Sequence, residues 1–341
     1  KSLIFQLNTI KYITVILITG LLLGILSGCI STQPSESSSQ VSQITSEPSA
    51  SVTLAPYEDR PLVRIATLKG PTGMGMVKLM SNNDEKLTLN RYEFTIVGAP
   101  DEIVGKITTG EIDIAAVPTN LAATLYNRTE KNIQLLAINT LGVLYILEKG
   151  NTINSIGDLA GKTIYASGKG STPEFILNYI LFQNGLIPDE DVTIEYKSEH
   201  SELATLALAG QADIVMLPEP FVTNVLSRNQ GFRNAVDLTK EWDSVTARLG
   251  ISDSALAMGG IIVRRTFAQQ YPDVIKKFMD EYKASIEFTN TSMDRTATLI
   301  EQYEIMPSAA LAKLAIPGSN IVFIDGQAMK NKISNLYNVF F

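Results

Sequence analysis

Leu62-Val63-Arg64-Ile65-Ala66-Thr67-Leu68 runs into Gly70-Pro71-Thr72-Gly73-Met74-Gly75, and then into Met76-Val77-Lys78-Leu79-Met80. The first seven residues are rich in β-branched and apolar types, as in a buried strand. The last five have the composition of opening helical turns. Between them, a glycine-rich βα turn leaves backbone N–H groups bare and adds the positive end of a helix dipole. Gly70, Pro71, Thr72, Gly73 and Met74 are therefore candidate ligand contacts. The alternative reading is a plain tight turn with Thr72 as helix N-cap.

Outward from this stretch, strand and helix patterns alternate. Tyr92–Val97 is an expected strand, 100–107 a short helix with acids in its first turn, and Ile112–Val117 a strand ended by Pro118-Thr119-Asn120. The apolar run Gln134–Leu147 exceeds one typical strand, so it is either two strands or one crossing strand, broken near Asn139-Thr140. The alternation restarts with Lys162–Ala166, the turn Ser167-Gly168-Lys169-Gly170-Ser171-Thr172-Pro173, and a helix over 174–184 with Thr172 as cap. A strand at Val192–Tyr196, a helix at Ser201–Ala209 and a strand at Ala212–Leu217, ended by Pro218-Glu219-Pro220, follow. Gly110-Glu111-Ile112-Asp113-Ile114 running to Pro118 is echoed by Gly210-Gln211-Ala212-Asp213-Ile214 running to Pro218. Gly, Asp, Ile and Pro recur at identical spacing, within matching orders of elements. The expected fold is α/β, with two similar α/β lobes, a ligand cleft between them and two crossing strands. After Trp242 a strand is expected at 259–263, and helical patterns at 266–290, 293–305, 308–314 and 326–340.

The N-terminus is of another kind. Lys1 and Lys11 flank the apolar run Tyr12–Leu23, which ends in Leu26-Ser27-Gly28-Cys29, the layout of an export signal. Cys29 is the chain's one cysteine, so a mature fold using it has no disulfide. Residues 31–55 are rich in Ser, Gln, Thr, Pro and Glu without hydrophobic periodicity, as in a flexible tether. Removing residues 1–28 lowers Lys plus Arg from 28 to 26 against 35 acids, a charge of −9. An acidic body excludes nucleic acid as the expected partner.

The residues just quoted, with the blocks RIATLKGPTGMG, GEIDIAAVPTN, SIGDLAGKTIYASGKGSTPEF and GQADIVMLPEPF, resemble the solute-binding proteins of ABC importers. The group is the one serving nitrate, sulfonates, taurine and thiamine-pyrimidine precursors, and Leu26–Cys29 resembles the bacterial lipobox. The likeness covers about residues 60–290. It implies a type II periplasmic-binding-protein fold: signal peptide 1–28, tether 29–57, lobe 1 from 58–140 and 261–341, and lobe 2 from 145–256. It implies a monomer lipidated at Cys29, held at the outer face of the cytoplasmic membrane, passing a small-molecule solute to a permease and its ATPase. Ligands of open α/β sheets sit beyond the carboxyl ends of strands. On that rule and the resemblance, Thr119, Asn120, Thr140, Ser167, Gly170, Ser171, Thr172 and Glu219 join the Gly70–Met74 turn as candidate ligand contacts.

No catalytic constellation, metal ligand set or cofactor motif is legible. Gly161-Lys162-Thr163 lacks the P-loop's first glycine, and no G-x-S-x-G occurs. His200, the sole histidine, has the sequence context of an exposed loop residue. The expectation is a non-enzyme; the alternative is an enzyme on the same scaffold acting on a pyrimidine or related precursor. Donors in the two turns, Lys169 among them, suit an anion or ring acceptor. Glu219, if it faces the cleft, prefers an amine, and Phe175, Phe221, Tyr145 and Trp242 can wall a flat ligand. The expected solute therefore carries both characters, as in an amino-sulfonate or an amino-pyrimidine-like heterocycle. If Glu219 instead caps a helix, that preference lapses.

Overall fold

The computed structural model describes residues 55–340; the expected signal segment, Cys29 and nearly all of the tether lie outside them. The elements run β1 (Leu62–Leu68), α1 (Pro71–Met74), α2 (Val77–Asp84), β2 (Arg91–Val97), α3 (Asp101–Thr109), β3 (Ile114–Pro118), α4 (Thr119–Arg128) and β4 (Ile133–Thr140). Then come β5 (Leu144–Lys149), β6 (Thr163–Ser167), α5 (Thr172–Gln183), β7 (Thr193–Lys197), α6 (His200–Leu208), β8 (Ile214–Pro218), α7 (Phe221–Arg228), β9 (Phe232–Asp237) and α8 (Leu238–Arg248). The chain closes with β10 (Gly259–Arg264), α9 (Arg265–Gln270), α10 (Pro272–Thr291), α11 (Met293–Gln302), α12 (Ala309–Ala315), β11 (Ile321–Asp325) and α13 (Gly326–Phe340).

Two mixed sheets form, in the orders β11-β4-β10-β3-β1-β2 and β7-β6-β8-β5-β9. In each, a parallel trio (β2-β1-β3, β7-β6-β8) is followed by one strand antiparallel to its last member. That strand is β10 in the first sheet and β5 in the second, so each lobe receives the strand that follows the other lobe in the chain. The apolar run at 134–147 is thus two strands: β4 lies between β10 and β11 in the first sheet and β5 between β8 and β9 in the second. The sequence echo falls on equivalent strands, β3 and β8. Gly110 and Gly210 both take left-handed backbone (φ 83° and 73°) where α3 and α6 end, a conformation glycine adopts without steric penalty.

Helices cover both faces of each sheet, which is why the central strands are apolar throughout rather than alternating. In the first lobe, Ile65, Ile114 and Ile261 pack with Met76, Phe278 and Tyr282 on one face. Ala66, Ala115 and Ile262 pack with Ile103 and Leu125 on the other. In the second lobe, Ile164 and Met216 meet Ile180 and Trp242, while Val215 and Leu217 meet Leu203 and Val225. Trp242 is wholly buried and donates its indole N–H to Ser254 Oγ at 3.1 Å, so it is core and not ligand wall. The C-terminal helix follows β11 of the first sheet yet lays Leu336, Met329 and Ile333 on the core that contains Ile164 and Trp242.

Four elements went unread in the sequence. β9 mixes Arg233, Asn234 and Asp237 into its run, β11 has only five residues, α7 is only eight residues long, and α8 follows β9 with no residue between them. The cap of α5 is Ser171, one residue before the expected Thr172.

Candidate functional site

The Gly70–Gly75 turn sits over the carboxyl end of β1. Gly70 is the N-cap of α1 at φ 94°, with its N–H bonded to the Ile305 carbonyl at 3.3 Å. Gly73 is buried, and a Cβ there would collide with the Leu68 carbonyl, so only glycine lets α1 turn this tightly over its strand. Met74 is wholly buried in the first-lobe core, which makes it a packing residue. Pro71 and Thr72 remain half-exposed at the turn's surface. The Thr72 carbonyl accepts from buried Asn139 Nδ2 at 3.1 Å, and Asn139 also donates to the Tyr282 hydroxyl at 3.1 Å and accepts from Thr140 Oγ1 at 3.2 Å. Asn139 thereby ties the turn to the end of β4 and to α10.

Thr119 and Asn120 open α4 at the carboxyl end of β3. Thr119 is buried; its hydroxyl donates to the Ala257 carbonyl at 2.7 Å and its own carbonyl accepts from Tyr337 Oη at 3.1 Å. Those bonds fasten α13 and residues 249–258, the second crossing, which leads from α8 back to β10, while Asn120 is exposed.

In the second lobe, Ser167 ends β6, buried. Its Oγ lies 2.5 Å from Nδ1 of His200, which opens α6 at the end of β7. His200 is therefore no exposed loop residue: it is half-buried, its ring lies 5.7 Å from that of Phe221, and burial lowers its pKa. Sequence reasoning missed it because the parallel pairing of β6 with β7 that brings residues 167 and 200 together leaves no mark in either local stretch. Among the described residues no carboxylate is hydrogen-bonded to His200, so the pair lacks the orienting acid of a catalytic triad. The following turn is tightly self-bonded. Ser171 N and Oγ both donate to the Gly168 carbonyl, at 3.1 and 2.6 Å, and Gly170 N donates to Glu174 Oε2 at 2.6 Å. Thr172 is the first residue of α5, and Lys169 lies over the Tyr196 ring at 5.5 Å.

Glu219 follows β8, joined to Pro220 by a cis peptide bond. Its Oε2 accepts from Thr223 N at 3.1 Å and its Oε1 from Thr223 Oγ1 at 3.0 Å, so it caps α7. Burial raises its pKa to about 7 against the lowering effect of those bonds. Across the cleft, a Cβ built on Gly70 would lie 3.8 Å from Pro220 Cδ, and Tyr145 Oη donates to the Gly318 carbonyl at 3.0 Å. The first lobe's β1 turn and the second lobe's β8 corner thus meet. Gly70 and Thr72 belong to the strand-end turn of the first lobe; Ser167, His200 and Phe221 belong to the strand ends of the second.

Residues 84–246 match the family model described as the ABC transporter, phosphonate, periplasmic substrate-binding protein. An ABC-transporter structure from Parabacteroides distasonis is 22% identical, with 82% of this chain and 91% of that chain covered and a TM-score of 0.68. The periplasmic aliphatic sulphonate-binding protein SsuA from Escherichia coli is 15% identical, with 82% and 86% covered and a TM-score of 0.64. The alkanesulfonate-binding protein SsuA from Xanthomonas axonopodis pv. citri, bound to MOPS, is 17% identical, with 81% and 90% covered and a TM-score of 0.58. No curated protein matches the sequence. At these identities the structural likeness is one of fold, the periplasmic-binding-protein fold, and the family match bears out the resemblance read from the motifs. No helix among the described residues is long and apolar enough to cross a membrane.

Proposed function

We propose that this chain is the extracytoplasmic solute-binding component of an ABC importer, and that it closes its two lobes on a small organic anion of sulfonate or phosphonate type. The observation that carries the reading is the meeting of strand ends. Polar groups of both lobes, Thr72 on one side and the Ser167–His200 pair on the other, stand where open α/β sheets hold ligands. Thr72, Thr172, Ser167 and His200 supply hydroxyl and imidazole donors to the oxyanion head, and the N-terminus of α5 adds its dipole. The sulfonate-binding neighbours and the phosphonate-binding family model support this ligand class.

An amino-sulfonate stays within this proposal. Glu219, however, gives the amine no independent support, because Thr223 takes both carboxylate oxygens. An amino-pyrimidine is the weaker candidate for the same reason. Anchoring by a lipidated Cys29 and delivery to a permease and ATPase complete the reading; both rest on the lipobox resemblance and the family likeness. The test is native mass spectrometry of the protein as purified, then a thermal-shift panel of alkanesulfonates, phosphonates, taurine-like amino-sulfonates, amines, pyrimidines and flavins. A ligand at 100 times its dissociation constant adds about 2.7 kcal/mol of stability. Thr72→Ala and His200→Gln should each weaken the best sulfonate or phosphonate hit by about tenfold, roughly 1.4 kcal/mol. A panel in which only pyrimidines or flavins bind, or conversion of a bound compound into a new species, refutes it.

A further inference from the structure

We propose that residues 309–319 of the first lobe form a latch that holds the cleft shut by seating on the Glu219–Pro220 corner, and that seating is tied to protonation of Glu219. The proposal rests on the reading that the two lobes open and close. The latch is α12, Ala309-Ala310-Leu311-Ala312-Lys313-Leu314-Ala315, followed by a single 3-10 turn at Pro317–Ser319. Alanine at four of seven positions lets the helix approach α7 of the other lobe closely. The turn then lays Gly318 directly on Glu219: a Cβ built there would lie 2.8 Å from Oε1 and 3.3 Å from Cγ. Tyr145 Oη, from the second lobe, grips the Gly318 carbonyl at 3.0 Å. The base of the latch is tied to residues 141–143, the first crossing, between β4 and β5. Leu141 N donates to the Asn320 carbonyl at 3.0 Å, and Asn320 Nδ2 donates to the Gly142 carbonyl.

The seated latch leaves Glu219 only 7% exposed. Its hydrogen-bond partners, the Thr223 amide and hydroxyl, are on its own lobe, and no salt bridge reaches it among the described residues. The ionisable groups around the corner do not neutralise it. Tyr145 of β5 and Asp237 at the end of β9 are acids; burial, and after it the charges of Asp237 and Glu219, keep the tyrosine protonated. Arg228 is at the far end of α7, Lys313 of α12 pairs with Asp294 at 2.5 Å, and the Gly70 turn carries only the exposed Lys69. His200 stands beside Phe221, and burial holds its pKa low. Burial is the largest influence on Glu219 and raises it to about 7 from 4.5. Opening the latch gives the carboxyl to water and returns it toward the ordinary value. The closed form therefore binds the proton more tightly, gains on the open form as pH falls from about 7 toward 4.5, and gains nothing above that window.

The test needs no ligand. Spin labels at Thr108→Cys on α3 and Thr205→Cys on α6, both exposed, report the inter-lobe distance in the full chain carrying Cys29→Ser. Between pH 8.5 and pH 5.0 the closed-to-open ratio should rise at least about tenfold, as the two carboxyl pKa values require. Glu219→Gln, neutral at every pH, should give the same ratio at both. Gly318→Ala should stay open at both, with an unchanged circular dichroism spectrum showing that it folds. A parent distance distribution indifferent to pH overturns the proposal. So does a Glu219→Gln protein that keeps the shift, or a Gly318→Ala protein that closes like the parent. A pH-dependent distance in a protein that binds no sulfonate or phosphonate would remove the transport reading and leave the latch standing.

Discussion

Asp113 and Asp213 occupy the same place in the repeated block, yet the structure assigns them opposite energetic roles. Asp113 opens β3 with its side chain 1% exposed, between two arginines. Its Oδ2 accepts from Arg64 N at 3.1 Å and Arg64 Nε at 2.9 Å; its Oδ1 accepts from Arg64 Nη2 at 2.8 Å and Arg264 Nη2 at 2.5 Å. It thus pins β1, β3 and β10, the last being the strand supplied from beyond the second lobe. Among the described residues the Asp213 carboxylate pairs only with Lys149, at 3.9 Å, with its side chain 66% exposed. Removing one partner of a buried ion pair costs roughly 3–5 kcal/mol, because the other charge is left without compensation. The two arginine side chains are 37% and 20% exposed, so water recovers part of that loss, and about 3 kcal/mol is expected for Asp113→Ala. Asp213→Ala should cost under about 0.5 kcal/mol, as for an exposed pair. Urea unfolding followed by circular dichroism measures both, and equal m-values confirm that the denatured states compare. Equal losses at the two sites, or a loss at Asp113 below about 1 kcal/mol, would refute the reasoning from burial.

Other outcomes follow from single contacts. Asn139→Ala removes three buried hydrogen bonds and should destabilise by about 2–4 kcal/mol, with a weaker ligand response in the thermal-shift panel because the Thr72 carbonyl is released. Gly73→Ala should destabilise by roughly 2–4 kcal/mol, since the methyl's closest contact is the Leu68 carbonyl, which is backbone and cannot swing aside; urea titration reads it. His200 has a folded-state pKa below its unfolded value, so the unfolded chain binds the extra proton and stability falls as pH drops through about 6.5. His200→Gln should flatten that slope, seen as midpoint against pH. Cys29→Ala should abolish acyl-lipid labelling of the exported protein; labelling that persists counts against the lipobox.

Local chemistry carried most of the fold. The strand-turn-helix at 62–80, the two Gly…Pro blocks and the paired apolar run at 134–147 each hold their reading within one continuous stretch, and each corresponds to elements at those positions. What escaped depends on tertiary neighbours. β9 is half polar because it lies at the sheet edge beside β5, where one ladder suffices. The Ser167–His200 contact and the cover that Gly318 lays on Glu219 join residues 33 and 99 positions apart, and neither leaves a local mark. Met74 shows the reverse error. It sits inside a ligand-type turn, yet a four-residue helix has one face on its own sheet, and a long apolar side chain there goes to the core.

The exchange of antiparallel strands bears on how the two lobes of the proposed reading would move and still stay in register. β5 and β10 are each held in a ladder on both sides, by β8 and β9 and by β3 and β4. A crossing segment that ends in two such ladders cannot slip lengthwise without breaking one of them, so bending at 141–143 and 249–258 is the motion left. α13 restricts it further. Lys332 and Asn331 bond Asp253 in the second crossing at 2.8 and 2.9 Å, and Tyr337 holds the Thr119 carbonyl of the first lobe at 3.1 Å. The helix therefore bridges the connection after the second lobe and the first lobe. If it sets the range of opening, Tyr337→Phe, which deletes one hydroxyl and leaves the ring packed, should widen the inter-lobe distance of the open form while leaving that of the closed form unchanged. The same spin-label pair reads both distances. An open-state distance identical to the parent's would show that the crossings alone define the hinge.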